Sequence, residues 1–245
     1  MLKTERADKI IEILKECKYA TVDMLVGELH YSPATIRRDL IYLEGLGLVK
    51  KSYGGVALCN SGAPVIVREH QNTVEKVRLC RAAAAFVKDG DTVFVDGTTT
   101  TYHLGEVLTE KKDIKVVTSN LKLAIYLHER GVRCFVTGGE MIDTVMLGGQ
   151  YAADMLEKMH FDVAFYSFGV AAPDGYFNVS PCFADFMRVA LARSDKNVCL
   201  FLKSKWQDTC PFAFKPLGVF DHVISDVKIP ADFKTRFPDT EFLPL

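Results

Sequence analysis

From Thr92 onward the chain repeats one pattern, a short apolar run followed by a longer stretch with helical spacing. The runs are Thr92-Val93-Phe94-Val95, Lys115-Val116-Val117, Arg133-Cys134-Phe135-Val136, Val163-Ala164-Phe165-Tyr166, Val198-Cys199-Leu200-Phe201 and His222-Val223-Ile224. Each is too short for a helix and rich in β-branched or aromatic residues, so each reads as a strand. The stretches between them, about Thr100 to Leu108, Leu121 to His128, Gln150 to Met159 and Phe183 to Arg193, read as helices. Strands alternating with helices imply an α/β unit with a mostly parallel sheet covered on both faces. Such sheets take ligands outside the carboxyl ends of their strands.

The residues at those ends share a chemistry. The first strand runs into Asp96-Gly97-Thr98-Thr99-Thr100-Thr101 and the second into Thr118-Ser119-Asn120. The third leads to Thr137-Gly138-Gly139-Glu140 and the fourth to Ser167-Phe168-Gly169. Glycine lets backbone N–H groups approach an anion, hydroxyls add donors, and helices opened by these loops favour phosphate at their N-termini. Asp96 can accept from sugar hydroxyls, and Lys205, after the fifth strand, can supply a charge to a phosphate.

The first 58 residues follow a different plan. Ile10, Ile11, Ile13 and Leu14 give an apolar face to a helix from Thr4 to Cys17. Thr21 can cap a second helix running to about Leu29, with Val22, Leu25, Val26 and Leu29 inward. After the turn His30-Tyr31-Ser32, Ser32 is a good N-cap and Pro33 fits the first helical position. In this third helix Ile36, Leu40 and Leu43 form one stripe, Thr35, Arg38 and Tyr42 fall on the opposite face, and Arg37 sits on the flank. Two helices joined by so short a turn have helix-turn-helix spacing. Leu48-Val49-Lys50-Lys51-Ser52-Tyr53 is β-prone and basic, and Gly54-Gly55 permits a hairpin turn. That hairpin is a wing, placing Lys50, Lys51 and Tyr53 beside a phosphate backbone.

Net charge is −1 over 245 residues, so nucleic-acid affinity has to come from local clustering. Arg37, Arg38, Lys50 and Lys51 supply it, while most acids of this region fall on the first helix. The seven cysteines include no C-x-x-C pair, which speaks against a disulfide framework or a zinc site and for a reducing, cytoplasmic setting. The six histidines are isolated and lack metal-ligand spacing. No phosphate-binding G-x-x-x-x-G-K-[ST] loop and no G-x-S-x-G nucleophile context occur, so neither nucleotide hydrolysis nor serine chemistry is supported. The start is charged rather than signal-like, and no apolar run approaches the ~20 residues of a membrane span.

The run Ala34-Thr35-Ile36-Arg37-Arg38-Asp39-Leu40, then Leu43-Glu44, Gly47-Leu48-Val49 and Gly54-Gly55-Val56, resembles the winged helix-turn-helix of the DeoR family of bacterial transcription regulators. Tyr53 stands where that family usually has histidine. The resemblance extends over about Val67 to Val227 through Glu75-Lys76, Asp96-Gly97-Thr98-Thr99, Thr118-Ser119-Asn120, Gly138-Gly139, Ser204-Lys205 and Ser225-Asp226. It implies a C-terminal domain similar in fold to ribose-phosphate isomerases and coenzyme A transferases, sensing a phosphorylated sugar or related metabolite. It also implies effector residues at Asp96, Gly97, Thr98, Thr99, Thr100, Thr118, Ser119, Asn120, Gly138, Gly139, Asp185 and Lys205. Two positions depart from the pattern: Leu202 replaces an acidic residue, and Asp185 and Met187 replace an E-x-K pair.

The expected organisation is a DNA-binding domain over 1–58, a linker over 59–72 marked by Asn60-Ser61-Gly62-Ala63-Pro64, and an effector-sensing and oligomerising domain over 73–245. Val65 to Gln71 reads as extended, and Asn72 as the cap of a helix from Thr73 to Val87. DNA contacts are expected from Ser32, Thr35, Arg37, Arg38, Tyr42, Lys50, Lys51 and Tyr53. The expected partners are double-stranded operator DNA, a sugar-phosphate-like effector and further copies of the chain as a dimer or tetramer, with no membrane, cofactor or metal. Two other readings stay open: a sugar-phosphate isomerase-like enzyme using Asp96, Asp185 or Lys205 as acid or base, and a DNA-binding protein whose larger domain only oligomerises.

Overall fold

A computed structural model describes residues 3–17, 19–45, 49–52, 55–58, 65–178, 181–208 and 213–245. The chain divides into two units, Met1–His70 and Gln71–Leu245.

The first unit contains α1 (Lys3–Cys17), β1 (Tyr19–Ala20), α2 (Val22–Leu29), α3 (Pro33–Gly45), β2 (Val49–Ser52), β3 (Gly55–Leu58) and α4 (Val65–His70). Local chemistry sets the turn of the helix-turn-helix. The Thr21 hydroxyl accepts from the Met24 N–H at 3.1 Å, and His30 ends α2 in the left-handed region at φ 56°. The Ser32 Oγ then accepts from the Thr35 N–H at 3.2 Å, opening α3. Ile36, Leu40 and Leu43 are buried against Ile10, Ile11 and Leu14 of α1 and Leu25 of α2, as the periodicity requires.

The sheet order β1-β3-β2 adds a strand that the sequence does not announce. Tyr19 and Ala20 pair antiparallel with Ala57 and Val56, and two residues are too few to show alternation. Val65–His70 is helical, not extended as its β-branched residues suggest; propensity is a weak prior that context overrides.

The second unit begins with α5 (Thr73–Ala83), which gives way to a 3₁₀ turn over 84–86. Asn72 does not cap it. Its backbone is left-handed at φ 53°, and its amide donates instead to Ser204 Oγ at 3.0 Å. Then follow β4 (Thr92–Val95), α6 (Leu104–Leu108), β5 (Lys115–Thr118), α7 (Leu121–His128) and β6 (Arg133–Val136). A small hairpin, β7 (Glu140–Met141) with β8 (Leu147–Gly148), leads to α8 (Gln150–Leu156), β9 (Val163–Tyr166), β10 (Tyr176–Asn178) and α9 (Pro181–Ala192). The chain closes with β11 (Asn197–Phe201), β12 (Ala213–Pro216), β13 (His222–Ser225), α10 (Phe233–Arg236) and β14 (Glu241–Pro244).

Seven strands form one sheet in the order β14-β13-β11-β9-β4-β5-β6, and all its pairings are parallel. Side chains alternate between two cores. Val93, Val95, Val163, Phe165, Val198 and Leu200 face α5, α6 and α7 in a largely aliphatic layer. Phe94, Ala164, Tyr166, Cys199 and Phe201 face α8, α9 and α10 in a layer dominated by aromatics, including Phe161, Phe168, Phe177, Phe220 and Phe233. The edge strand β14 escapes sequence reading: Pro238 precedes it, Pro244 ends it, and its only buried apolar residue is Phe242.

The chain lays down β4, β5 and β6 in one direction, then returns to place β9 on the other side of β4. The carboxyl ends of β4 and β9 therefore flank the point where strand order reverses, where ligands bind in open α/β sheets.

One contact in the first unit has no counterpart in the sequence reading. Asp39 projects from α3 into the interior, fully buried, and accepts from Arg6 Nε at 2.8 Å and Nη2 at 3.0 Å. This two-pronged bond fixes α3 against α1. Asp39→Asn keeps the shape but places a donor amide against the guanidinium. It is expected to lower the thermal midpoint of the first unit by at least about 5 °C, read by circular dichroism, with the second unit's transition unmoved.

Candidate functional site

In the first unit, α3 carries the surface that the sequence assigns to DNA. Arg37 and Arg38 are exposed, Tyr42 is partly so, and Ser32 lies at the helix start. Thr35 is half-buried, its Oγ1 at 2.9 Å from Ser32 Oγ. β2 and β3 form the wing in antiparallel register, Lys50 opposite Ala57 and Lys51 opposite Val56. Tyr53 lies outside the described residues.

In the second unit, the loops after β4 and β9 meet around Asp96. Its carboxylate is buried and takes donors from three directions. Oδ1 accepts from the Thr98 N–H at 3.0 Å, the Thr98 hydroxyl at 2.9 Å and the Thr101 hydroxyl. Oδ2 accepts from the Ser167 N–H at 2.7 Å, tying the β4 loop to the β9 loop. Burial pushes the Asp96 carboxyl above the usual carboxylate range, while the bonds from Thr101, Ser167 and Thr98 pull it back.

Two lysines reach the same loops. Lys205 Nζ donates to Ser167 Oγ at 2.6 Å and Thr100 Oγ1 at 3.1 Å, and Ser167 Oγ passes a bond on to the Leu200 carbonyl at 2.7 Å. Lys76, buried in α5, donates to Thr99 Oγ1 at 3.2 Å. Sequence analysis matched Lys76 to a family position without assigning it to the site. A signal was available, because Lys76, Leu79, Cys80 and Ala83 occupy one buried helical stripe and a lysine there is out of place. Cys80 also points here, its thiol 3.3 Å from the Thr100 carbonyl, and burial raises its pKa, leaving it un-ionised.

The β5 loop closes one side. Asn120 donates to the Gly97 carbonyl at 3.1 Å and caps α7 by accepting from the Leu123 N–H at 3.0 Å. Thr118 Oγ1 accepts from the Asn120 N–H at 3.1 Å. Ser119 Oγ is buried and has no hydrogen-bond partner among the described residues. Gly97 is required for this approach, since a Cβ there would stand 2.8 Å from Ser119 Oγ and 2.7 Å from Met146 Cγ. Gly139 is required too: at φ 97° a Cβ would lie 2.2 Å from the Gly148 carbonyl. Gly138, at φ 67°, is exposed with open space around it.

The structure does not join every expected residue to this network. Asp185 is exposed on α9 and pairs with Arg188 one turn on. Met187 and Leu202 are buried, in the aromatic and aliphatic layers respectively, so both departures from the family pattern fill core. The helix dipoles are also weaker than expected: α6 has five residues and α8 seven, so the two lysines supply the positive charge. At the opposite ends of the strands, Lys111, Lys115, Arg130 and Arg133 line an open depression, but Lys111 is bonded to the Val87 carbonyl and Arg130 to that of Tyr126.

A winged helix-turn-helix and, on the same chain, an α/β unit with a polar, lysine-bearing switch point define a ligand-sensing regulator class. The description "DeoR-like helix-turn-helix domain" matches residues 6–62, and "DeoR C terminal sensor domain" matches residues 71–227. The chain belongs to the DeoR family of transcription regulators. It is similar to the lactose phosphotransferase system repressor of Lactococcus lactis, 33% identical over 67% of this chain and 68% of that protein. It is also similar to the HTH-type transcriptional regulator GolR of Listeria innocua, 29% identical over 98% of this chain and 96% of that one. Among solved structures, a ribose 5-phosphate isomerase from Methanocaldococcus jannaschii aligns at a TM-score of 0.42 and 14% identity, over 56% of each chain, which is too distant to carry an argument.

Asp96→Ala should leave the Thr98 and Ser167 N–H groups without acceptors in a buried place. The expected loss is about 2–3 kcal/mol in the second unit, measured by urea unfolding without added ligand.

Proposed function

We propose that this chain is a transcription repressor that holds operator DNA through α3 and the wing, and that a small phosphorylated metabolite, a sugar phosphate, binds at the carboxyl ends of β4, β5 and β9 to control it. The observation that carries the DNA half is the exposure of Arg37 and Arg38 on a helix whose other face is locked by Ile36, Leu40 and Leu43. Arg38, Thr35 and Tyr42 reach base edges, while Arg37, Lys50, Lys51, Tyr53 and Ser32 hold phosphates. A dimer or tetramer presents two such helices to successive major-groove turns.

The observation that carries the ligand half is the meeting of Lys205, Lys76 and an unpartnered Ser119 hydroxyl with the Asp96 loop at the switch point. The ammonium groups suit a phosphate. Asp96 with Thr98, Thr99 and Thr100, and Asn120 with Thr118, set the polar walls for sugar hydroxyls, with Gly97 and Gly139 letting the loops pack closely and Gly138 leaving the rim open. Met187 and Leu202 fill core, so in this reading the charge for a phosphate comes from the two lysines. Asp185 stays outside this network, exposed on α9 and paired with Arg188. One relative is named a lactose phosphotransferase system repressor, which agrees with this reading. A coupling of about 1–3 kcal/mol between ligand and DNA makes a useful switch.

Two measurements test the proposal. In gel-shift competition, Arg38→Ala is expected to lose discrimination among DNA sequences, while Lys50→Ala weakens all DNA about equally and reduces the salt slope by about one. In thermal-shift screens with sugar phosphates at millimolar concentration, at least one should raise the midpoint of the wild type and leave Lys205→Met unmoved. Full sequence preference in Arg38→Ala would overturn the helix orientation, and no shift with any phosphorylated sugar would overturn the effector.

A further inference from the structure

The outward face of α3 holds one side chain that neither the fold nor charge accounts for. Ile41 is 59% exposed in the middle of the helix, although Ile36, Leu40 and Leu43 already fill the core side. Isolated surface isoleucines are ordinary, so its position matters more than its exposure. At 3.6 residues per turn Ile41 stands about 60° round the helix from Arg38 and one turn beyond it, with Tyr42 on the other side of Arg38. Helical side chains lean toward the N-terminus, so Ile41 covers surface beside Arg37 and Arg38. The outermost ridge of the reading helix is thus a guanidinium flanked by a branched aliphatic group and an aromatic ring.

The major groove offers one apolar feature, the C5-methyl group of thymine, and aliphatic side chains read it by contact. We propose that Ile41 is a specificity-determining residue that packs on a thymine methyl in each half-site, next to the base contacted by Arg38. This rests on the DNA-binding reading above. The arginines bring the helix to the groove, and an isoleucine among them gains nothing from phosphates. Its burial in the complex therefore depends on which base lies beneath it. The charge of the neighbouring Arg37 and Arg38 makes DNA the occupant this face fits, ahead of an apolar protein partner.

The test uses the full chain and a duplex enriched from a random-sequence library by the protein itself. Each thymidine is replaced singly by deoxyuridine, which deletes only the methyl group, and dissociation constants are measured for the wild type, Ile41→Ala and Ile41→Val. One position per half-site is expected to cost the wild type about fourfold, the worth of one buried methyl. Ile41→Ala should bind the parent duplex severalfold more weakly yet be indifferent to that same replacement, with Ile41→Val in between. Equal deoxyuridine losses in wild type and Ile41→Ala, or none in either, would overturn the role of Ile41 while leaving the DNA-binding reading intact. Failure of the library to yield any preferred sequence would overturn both.

Discussion

A buried carboxylate must be satisfied on all sides, and Asp96 obtains that by drawing two loops together. Its Oδ1 organises the turn after β4, and its Oδ2 takes the first N–H beyond β9. That second bond ties the turn after β4 directly to the turn after β9. With it, Ser167 is placed for Lys205, and Lys205 in turn for Thr100. The polar floor of the sensor unit is one connected network, so its members do not act independently. A ligand that competes for Lys205 acts on hydroxyls of both loops at once.

Asp39 plays a parallel part in the smaller unit. α3 has to present arginines outward with a fixed roll about its own axis, and an aliphatic stripe alone resists rolling weakly. The two-pronged bond from Arg6 pins that roll, because both guanidinium nitrogens must meet both carboxylate oxygens. Arg6 also lies over the Tyr31 ring, 5.1 Å from its centroid, in the turn before α3. One cation thus braces both the helix and the turn leading into it.

The sequence revealed what periodicity can reveal. The aliphatic stripe of α3, the caps at Thr21 and Ser32, and six of the seven strands of the large sheet follow from spacing and side-chain chemistry over a few residues. The polar loops after β4, β5 and β9 were legible as a group because glycine and threonine recur there. Asp39 was not, because its partner is 33 residues away and a helical aspartate reads as solvated. Lys76 lay in plain view within an apolar stripe, yet its target, Thr99, belongs to a loop whose path depends on the sheet. β1 and β14 are defined by what they pair with, and two or four residues carry too little pattern to say so. Asp185 is the opposite case, a position carried over from a motif that the fold leaves on an exposed helix face paired with Arg188.

Charge sets a limit on how such a molecule can work on DNA. A net charge of −1 leaves only local clusters, and each reading head brings about four cations from α3 and the wing. Affinity that rests on so few phosphate contacts is small, and one head alone holds DNA only loosely at physiological ionic strength. Two heads on one assembly change this, since the second binds at the high effective concentration set by the first. In the proposed mechanism, shifting the spacing of two linked heads removes the gain from linkage, while each head keeps its own contacts. Apolar contacts to bases are insensitive to salt, so their share of the binding energy grows as ionic strength rises, and discrimination then depends on them most.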